Sequence, residues 1–359
     1  MDTQFFPGYT IGPDAYKEIV KICNNFGNKA VVIGGEKAIQ AARNKIENSI
    51  VESPLKITGF FPFGGESSVA NIEILKEIPE VQEADMIFAL GGGKAIDTGK
   101  VLAQKTNKVY FTFPTIASTC ASCTSLGILY HPDGSLREYS FSNIPPVHIF
   151  IDSQIIANAP DKYLWAGIGD SMAKYFESSV SSRGDELFHS QAMGVNIGNM
   201  CSGPFVKYGE KALIDCKNNR VSEELEEIIL GIIVSTGFVS NLVNIDITTG
   251  LAHAVYNGFT VIPQIEEHGH LHGEIVSYGI LILLIVDKQK EEFERIYKFN
   301  RKLGLPTSIL HLHCSIKDMD KVIEKALKGI DVRHYPYEVT PELIKEAIEF
   351  LELYNLGTI

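Results

Sequence analysis

The chain has 359 residues, which is too long for one ordinary compact domain and about right for two. Hydrophobic residues make up 45% and charged residues 21%, so the composition is that of a folded protein and excludes a disordered one. The net charge is −12 and the basic residues form no block or stripe, which argues against nucleic acid as a partner.

Three features favour a cytoplasmic protein without a membrane segment. The N-terminal MDTQFFPGYTIG has no basic region followed by an apolar one, so we expect no signal peptide. The apolar stretch 228–245 carries Ser235, Thr236, Ser240 and Asn241, which favours a buried core helix over a membrane span. The six cysteines are sparse, and a chain of this size needs no disulfides, so a reducing compartment is expected.

Short apolar runs alternate with helical patterns through the first part of the chain. The runs 29–34, 86–90, 109–113 and 147–152 predict strands, and the patterns 36–46 and 95–105 predict helices. Strand, glycine, helix and strand in this order are typical of a parallel α/β sheet that is covered on both faces.

Long helical periods dominate after residue 157. They span 161–180, 185–208, 223–243, 272–286, 288–302 and 341–353. Thr340 is the predicted N-cap of the last of these helices. We therefore predict an α/β domain over residues 1–157 and an all-helical domain over residues 158–359.

A glycine-rich loop follows the second predicted strand. Gly91, Gly92 and Gly93 let the backbone approach a phosphate, and the following helix N-terminus supplies free N–H groups. Lys94 adds a point charge, and Asp97, placed in the first helical turn, is expected to order the loop. The spacing fits neither G-x-G-x-x-G nor a Walker loop, and a tight structural turn remains the alternative.

A loop rich in Thr and Ser follows the third predicted strand. Thr115 and Ser118 lie in its sequence PTIASTC. Ligands of open α/β sheets bind at the carboxyl ends of strands, so two adjacent strand ends offer phosphate and hydroxyl contacts together. A solvated turn is the alternative.

The helical half contains candidate metal ligands. Asp170 lies in GIGD, His253 in LAHAVYNG, and three more histidines in HGHLHG, at 268, 270 and 272. One carboxylate and two imidazoles with open positions are the ligand set of a catalytic zinc or ferrous site. A first-turn aspartate, a hydrogen-bonded core histidine and a surface HGHLHG loop are the alternatives.

Five segments together resemble the glycerol dehydrogenase branch of the iron-containing alcohol dehydrogenases. They are GGGKAIDTGK, PTIASTCAS, GIGDSMAKYFE, HAVYNGFT and HGEIVSYG, in the family's order and approximate spacing across most of the chain. The resemblance implies a Rossmann-like dinucleotide-binding domain and a helical metal-binding domain, as in dehydroquinate synthases, with the active site in the cleft between them. It also implies NAD or NADP, one divalent metal (zinc or iron), a small hydroxylated substrate and a homo-oligomer.

The resemblance implies roles for individual residues. The metal ligands are Asp170, His253 and His272, with His270 as the rival third ligand. The residues implied to line the dinucleotide are Gly91, Gly92, Gly93, Lys94, Asp97, Thr115, Ser118, Leu126 and Tyr130. Protons would leave through bound water, with His270 or Tyr256 as relay candidates.

The sequence departs from the family pattern at three places. Cys120 replaces the aspartate that would meet a polyol hydroxyl, and Tyr256 replaces a second histidine. The first strand ends in Gly34 and Gly35 where an acid typically binds the adenosine ribose, and Glu36 and Lys37 follow. A neutral Cys120 facing the substrate admits a 2-hydroxy or 2-oxo acid, as in the hydroxycarboxylate dehydrogenase subgroup, and the lost acid permits NADP.

Other interpretations remain open. The pair formed by Cys120 and Cys123 can be a redox C-x-x-C motif. Dehydroquinate synthases and glycerol-1-phosphate dehydrogenases share the two-domain plan, but they need a basic cluster for a substrate phosphate, and near Asp170 only Lys174 is found. A nucleotide-binding regulator without activity would have no need to keep the Asp/His/His set.

Overall fold

The structure is a computed structural model that describes residues 3–132, 134–142 and 144–357. Its strands are β1 (Gly8–Gly12), β2 (Lys29–Gly34), β3 (Lys56–Pro62), β4 (Met86–Gly91), β5 (Val109–Pro114), β6 (Leu126–Tyr130), β7 (Leu136–Phe141) and β8 (His148–Asp152). The four predicted strands correspond to β2, β4, β5 and β8.

The helices follow the strands in a regular alternation at first and then dominate. They are α1 (Ile19–Cys23), α2 (Glu36–Ser49), α3 (Val69–Lys76), α4 (Pro79–Glu83), α5 (Gly93–Thr106), α6 (Ser153–Ala157), α7 (Lys162–Ser181), α8 (His189–Gly198), α9 (Gly203–Lys217), α10 (Glu223–Leu230), α11 (Thr236–Leu242), α12 (Ile245–Thr248), α13 (Leu251–Phe259), α14 (Pro263–Glu267), α15 (His272–Val286), α16 (Lys290–Leu303), α17 (Met319–Ala326) and α18 (Pro341–Asn355).

Six strands form one parallel sheet in the order β1-β8-β5-β4-β2-β3, and β6 and β7 form a separate antiparallel hairpin. In the register, Gly34 pairs with Leu90 and with Pro62, and Gly91 pairs with Pro114. The carboxyl ends of β2, β3, β4 and β5 therefore lie side by side, and the loops that follow them share one edge of the sheet.

Apolar side chains cover both faces of this sheet. Phe88 and Phe113 point to one face and pack with Ala42 and Ile46 of α2, while Ile87 points to the other face. That second face is covered by α3 and by the apolar side of α5. Because both faces are buried, β4 is buried at every residue, as expected of a parallel strand.

The chain divides into two compact units, whose bounds correct the predicted domain limits. The first unit runs up to Tyr163 and takes in Ile214–Asn241, and the second holds Leu164–Leu213 and the chain from Leu242 onward. The prediction of one continuous helical domain after residue 157 is therefore wrong.

Side-chain contacts explain why the segment Ile214–Asn241 belongs with the sheet. Ser153 donates to Glu226 Oε1 at 2.7 Å. Asn241 donates from its Nδ2 to the Cys123 carbonyl at 3.0 Å and accepts from the Ser125 N–H at 3.0 Å. The segment thus covers α6 and the loop after β5.

Most of the apolar stretch 228–245 lies in the same segment. Glu223–Leu242 is long and apolar enough to cross a membrane by composition, but 67% of its apolar window is buried in the structure. A π-helical stretch, Gly231–Ser235, joins α10 to α11. The expectation of a buried core segment agrees with this packing.

In the second unit the described residues form helices and no strand. The predicted helix over 185–208 is wrong as a single element, because α8 ends at Gly198 and α9 begins only at Gly203. The predictions for α15 and for the start of α18 are confirmed, and Thr340 caps α18 by accepting from the Leu343 N–H.

Candidate functional site

Two predicted nucleotide loops of the first unit are joined at the edge of the sheet. Gly91 has φ +136°, a conformation that side chains other than glycine rarely adopt, and it turns the chain from β4 into α5. The Thr115 N–H donates to the Gly91 carbonyl at 3.1 Å. Ser118 lies partly exposed further along the same loop.

The N-terminus of α5 begins directly after this turn. Gly92 is its N-cap and Gly93 its first residue, so no side chain caps the first-turn N–H groups. Such a terminus attracts anions through its free N–H groups and the helix dipole. Gly91, Gly92 and Gly93 thus form a tight turn into an uncapped helix N-terminus, which is a geometry that could receive a phosphate.

Lys94, beside this loop, forms an ion pair with Glu66. Its Nζ lies 2.6 Å from Glu66 Oε2, and it lies 5.1 Å from the centre of the Tyr130 ring. Glu66 comes from the loop after β3 and is not among the predicted site residues. The carboxylate offsets part of the charge that Lys94 would otherwise offer to a phosphate.

Asp97 has a different position from the predicted one. It is the fifth residue of α5 and lies in the second helical turn, where it is buried. Its carboxylate accepts from Lys100 Nζ at 2.9 Å and from the Ile128 N–H at 3.2 Å. Lys100 also donates to the Leu126 carbonyl at 2.6 Å, so this buried pair fixes the start of the β6–β7 hairpin. Burial raises the pKa of Asp97, although Lys100 opposes that shift.

Cys120 is partly exposed in the loop after β5. Its Sγ lies 3.8 Å from Ser240 Oγ of α11. Cys123 is buried, and burial raises the pKa of its thiol well above the usual value. A thiol that resists deprotonation is a poor nucleophile, which argues against redox catalysis by the C-x-x-C pair.

Three predicted ligands of the second unit converge. Asp170 Oδ1 lies 3.1 Å from His272 Nε2 and 3.5 Å from His253 Nε2. One ligand atom from each of the three residues lies within 4.8 Å of the others. These residues come from α7, α13 and the first position of α15, and together they could hold a metal ion.

A close helix crossing brings two of these residues together. A Cβ on Gly169 would lie 2.3 Å from the Gly273 carbonyl oxygen, and one on Gly273 would lie 2.0 Å from the Ala166 carbonyl oxygen. Only glycine allows the backbones of α7 and α15 to approach this far. The residues that follow Gly169 and precede Gly273, Asp170 and His272, therefore become neighbours.

Glu177 positions the third residue of the cluster. It is fully buried, its Oε2 lies 2.6 Å from His253 Nδ1, and its Oε1 accepts from the N–H groups of Gly250 and His253. Glu177 is not among the predicted site residues. A signal existed, because it lies seven residues after Asp170 on the same helical face.

The charges of the cluster are strongly coupled. Burial raises the pKa of Asp170, but His272 and His253 outweigh it and hold that pKa well below its usual range. Burial lowers the pKa of His253, but Glu177 and Asp170 outweigh it and raise that pKa to about 9. Two carboxylates thus favour a positive charge at this point, whether from a proton or from a cation.

The two remaining candidates differ in their surroundings. The Tyr256 ring meets the His272 ring edge-on with centroids 4.1 Å apart, so Tyr256 borders the cluster. His270 instead bonds to Glu274 and to His313, at 2.9 Å each. The structure brings His272, and not the rival His270, together with Asp170.

The chain is similar to a family of known enzymes. The family model for iron-containing alcohol dehydrogenase matches residues 7–153. Glycerol dehydrogenase of Thermotoga maritima is 31% identical, over 98% of this chain and 97% of that protein. Hydroxycarboxylate dehydrogenase A of Escherichia coli is 30% identical, over 91% of this chain and 90% of that protein. The crystal structure of glycerol dehydrogenase from Schizosaccharomyces pombe has a TM-score of 0.87 at 25% identity and covers 100% of this chain and 92% of that one.

The chain therefore belongs to the iron-containing alcohol dehydrogenases, and it is an oxidoreductase that acts on CH–OH groups. Within that family it lies in the glycerol dehydrogenase branch. The predicted fold class, a Rossmann-like parallel sheet followed by a helical region, is confirmed.

Proposed function

We propose that this protein is a divalent-metal-dependent, NAD(P)-linked dehydrogenase that transfers hydride between nicotinamide and a small polyol. The observation that carries the proposal is the convergence of Asp170, His253 and His272. Glycerol dehydrogenases from several organisms match nearly the whole chain, which supports a polyol as the substrate class.

The donor set fits a divalent cation on its own chemistry. One carboxylate and two imidazoles are the ligands of catalytic zinc or ferrous sites. Ligand atoms each about 2.1 Å from a tetrahedral ion lie about 3.4 Å apart, and the distances of 3.1 and 3.5 Å from Asp170 Oδ1 are close to this value. A zinc or ferrous ion held by these three residues supplies a Lewis acid for the substrate hydroxyl.

Neighbouring residues orient the ligands of the cluster and leave one side of it open to substrate. Glu177 accepts from His253 Nδ1, which directs Nε2 of the same ring towards Asp170. His272 keeps 38% of its side chain exposed while Asp170 and His253 are almost buried, so the cluster is reached by solvent and substrate from the His272 side. Tyr256, against the His272 ring, is the better placed of the two relay candidates.

The loops at the sheet edge support a dinucleotide. Gly91 turns the chain, and the N-terminus of α5 presents its N–H groups to a pyrophosphate. A nicotinamide bound there supplies the hydride acceptor. Lys37 is exposed in the first turn of α2, beside the end of β2, and supports the use of NADP as well as NAD.

A 2-hydroxy acid is the second candidate substrate, with NADPH-dependent reduction of a 2-oxo acid as the reverse reaction. Cys120 favours it, because an aspartate at this position would repel a substrate carboxylate and a neutral thiol does not. The match to hydroxycarboxylate dehydrogenase A supports the same candidate.

A phosphorylated substrate is less well supported. Lys174 is buried, and its Nζ donates to the Thr248 carbonyl at 3.1 Å, so this cation already has a partner within the fold. A homo-oligomer, a cytoplasmic location and the absence of nucleic-acid and membrane partners stay predictions.

The test is an activity panel on protein of known metal content. Diols, 2-hydroxy acids and 2-oxo acids are assayed with NAD⁺ or NADH and with NADP⁺ or NADPH, before and after exhaustive chelation. We expect chelation to abolish turnover and Zn²⁺ or Fe²⁺ to restore it. Full activity after chelation, or hydride transfer to none of these substrates, would overturn the proposal.

A further inference from the structure

Three histidines of the second unit meet at a turn outside the Asp170 cluster. His270 Nε2 lies 2.9 Å from His313 Nδ1. The His268 ring stacks on the His313 ring, with centroids 3.7 Å apart and planes within 4° of each other. None of the three belongs to the group formed by Asp170, His253 and His272.

The backbone around His268 and His270 is fixed by a helix C-cap. The His270 N–H donates to the Ile265 carbonyl, and the Gly269 N–H donates to the Glu266 carbonyl. Gly269 has φ +67°, which is the usual conformation of glycine in a Schellman-type cap at the end of α14. The two histidines therefore flank a rigid turn.

His313 is held just as firmly. It has φ 56°, which costs a non-glycine residue about 1 kcal/mol or more. Its N–H donates to the Leu310 carbonyl at 3.1 Å, and the Cys314 N–H donates to the Ile309 carbonyl at 3.0 Å. These bonds fix the backbone from which the His313 ring extends.

Glu274 orients the His270 ring. Its Oε1 lies 2.9 Å from His270 Nδ1, and its Oε2 accepts from the Leu271 N–H at 3.0 Å. A carboxylate that bonds to Nδ1 orients the imidazole ring, which is the arrangement found behind many zinc-bound histidines. Nε2 of the same ring then faces His313 Nδ1.

We propose that His268, His270 and His313 form a second site for a divalent transition metal, separate from the proposed catalytic one. Two nitrogens bound to one tetrahedral ion lie about 3.4 Å apart, so the present 2.9 Å distance needs to open only slightly to admit a cation between His270 Nε2 and His313 Nδ1. His268 stacks face to face on His313, so the nitrogens of the three rings do not converge as they stand, and the exposed His268 side chain must rotate to complete the ligand set.

The chemistry of the donors selects the ion. Three imidazoles suit Zn²⁺, Ni²⁺ or Cu²⁺, whereas Mg²⁺ and Ca²⁺ require oxygen ligands. The bound ion would tie the end of α14 to the turn at His313 and so stabilise the segment that leads into His272.

Zn²⁺ binding to the metal-free full chain tests this proposal. The background variant D170N/H272Q removes two ligands of the first site, and H270Q/H313Q is added to it. The matched control adds His189→Gln instead, an exposed histidine of α8. Calorimetry, elemental analysis after dialysis and thermal unfolding are the readouts, with Mg²⁺ as the specificity control and circular dichroism as the check of folding.

We expect two Zn²⁺ per wild-type chain and one in D170N/H272Q, with a rise in the unfolding temperature. Adding H270Q/H313Q should weaken the remaining site at least about 100-fold, and adding His189→Gln should leave it unchanged. A D170N/H272Q variant that binds no Zn²⁺, or equal binding with and without H270Q/H313Q, would overturn the second site. Because this readout needs no turnover, it is independent of whether the proposed function holds.

Discussion

Glu177 holds His253 at two points: its Oε2 lies 2.6 Å from His253 Nδ1, and its Oε1 accepts from the His253 backbone N–H at 2.8 Å. The ring and the start of α13 are thereby fixed together. This double contact makes Glu177 the residue that positions the imidazole for the Asp170 cluster.

Replacing Glu177 with Gln should weaken metal binding. The amide preserves an acceptor for the N–H groups but loses the charge opposite His253 Nδ1, so we expect the metal dissociation constant to rise about 10- to 100-fold. Metal titration of chelator-treated protein measures this, and excess metal should restore part of the turnover. Glu186→Gln, an exposed carboxylate of the same unit, is the control. Equal affinities in the two variants would contradict a positioning role.

Replacing Cys120 with Asp should shift substrate preference from acids to polyols. Two like charges about 4 Å apart repel by about 1 to 4 kcal/mol, depending on the local dielectric. We therefore expect kcat/KM for a 2-hydroxy acid to fall at least about tenfold relative to that for a diol. Cys120→Ser, which is neutral and similar in size, is the matched control. The idea fails if both variants show the same ratio of the two kcat/KM values.

Replacing Lys37 with Gln should reduce the use of NADP. Its exposed ammonium lies in the first turn of α2, and one charge-assisted contact to a 2′-phosphate contributes about 1.4 kcal/mol, or about tenfold in affinity. Fluorescence titration with NADPH and NADH measures the change, which should affect NADPH alone. Lys56→Gln, also exposed in the first unit, is the control. Equal loss for both cofactors, or no loss, speaks against the assignment.

His148 should make the stability of the first unit depend on pH. Its ring packs against Gly8, Thr10 Oγ1 lies 2.9 Å from its Nε2, and burial lowers its pKa to about 4, with Glu18 opposing the shift. The unfolded chain then binds the proton more readily, so stability is complete above the ordinary histidine pKa of about 6.5 and falls as the pH drops towards 4.

We expect this loss to be about 1 to 2 kcal/mol, since the ring is only half buried and solvent screens part of the effect. Denaturant unfolding with chelator present, at several pH values, gives the free energy of unfolding of the wild type and of His148→Gln. The variant should lose this part of the pH dependence, while His131→Gln, an exposed histidine, should keep it. Parallel pH profiles for wild type and His148→Gln would refute the prediction.

The strongly buried parts of the sheet were predictable from sequence, and its edges were not. The strands β2, β4 and β5 are continuous apolar runs because both of their faces are covered. The edge strand β3 is only half-buried and is interrupted by Gly59, so its pattern is weak. The break at residues 199–202 was missed because apolar periodicity continues on both sides of it, although Pro204 stands just after it.

Some residues of the candidate site were likewise predictable from sequence, and others were not. Asp170, His253 and His272 were predictable because aspartate and histidine are typical metal ligands and because the family motifs identify these positions. Glu177 and Lys100 were missed because their importance lies in long-range contacts, to His253 in α13 and to the carbonyl of Leu126, that local patterns do not encode. The buried position of Asp97 likewise depends on a hairpin that forms later in the chain.

The segment Ile214–Asn241 belongs to the first unit although part of the second unit precedes it in the chain. This order affects folding during synthesis on the ribosome. The usual order, in which an N-terminal domain folds before the next one is made, cannot apply here. The first unit cannot be completed until Ile214–Asn241 is synthesised, and Leu164–Leu213 of the other unit must emerge before it. Until then α6 and the loop after β5 stay uncovered. A polypeptide truncated after residue 163 would therefore expose an apolar surface and would not fold as an independent domain.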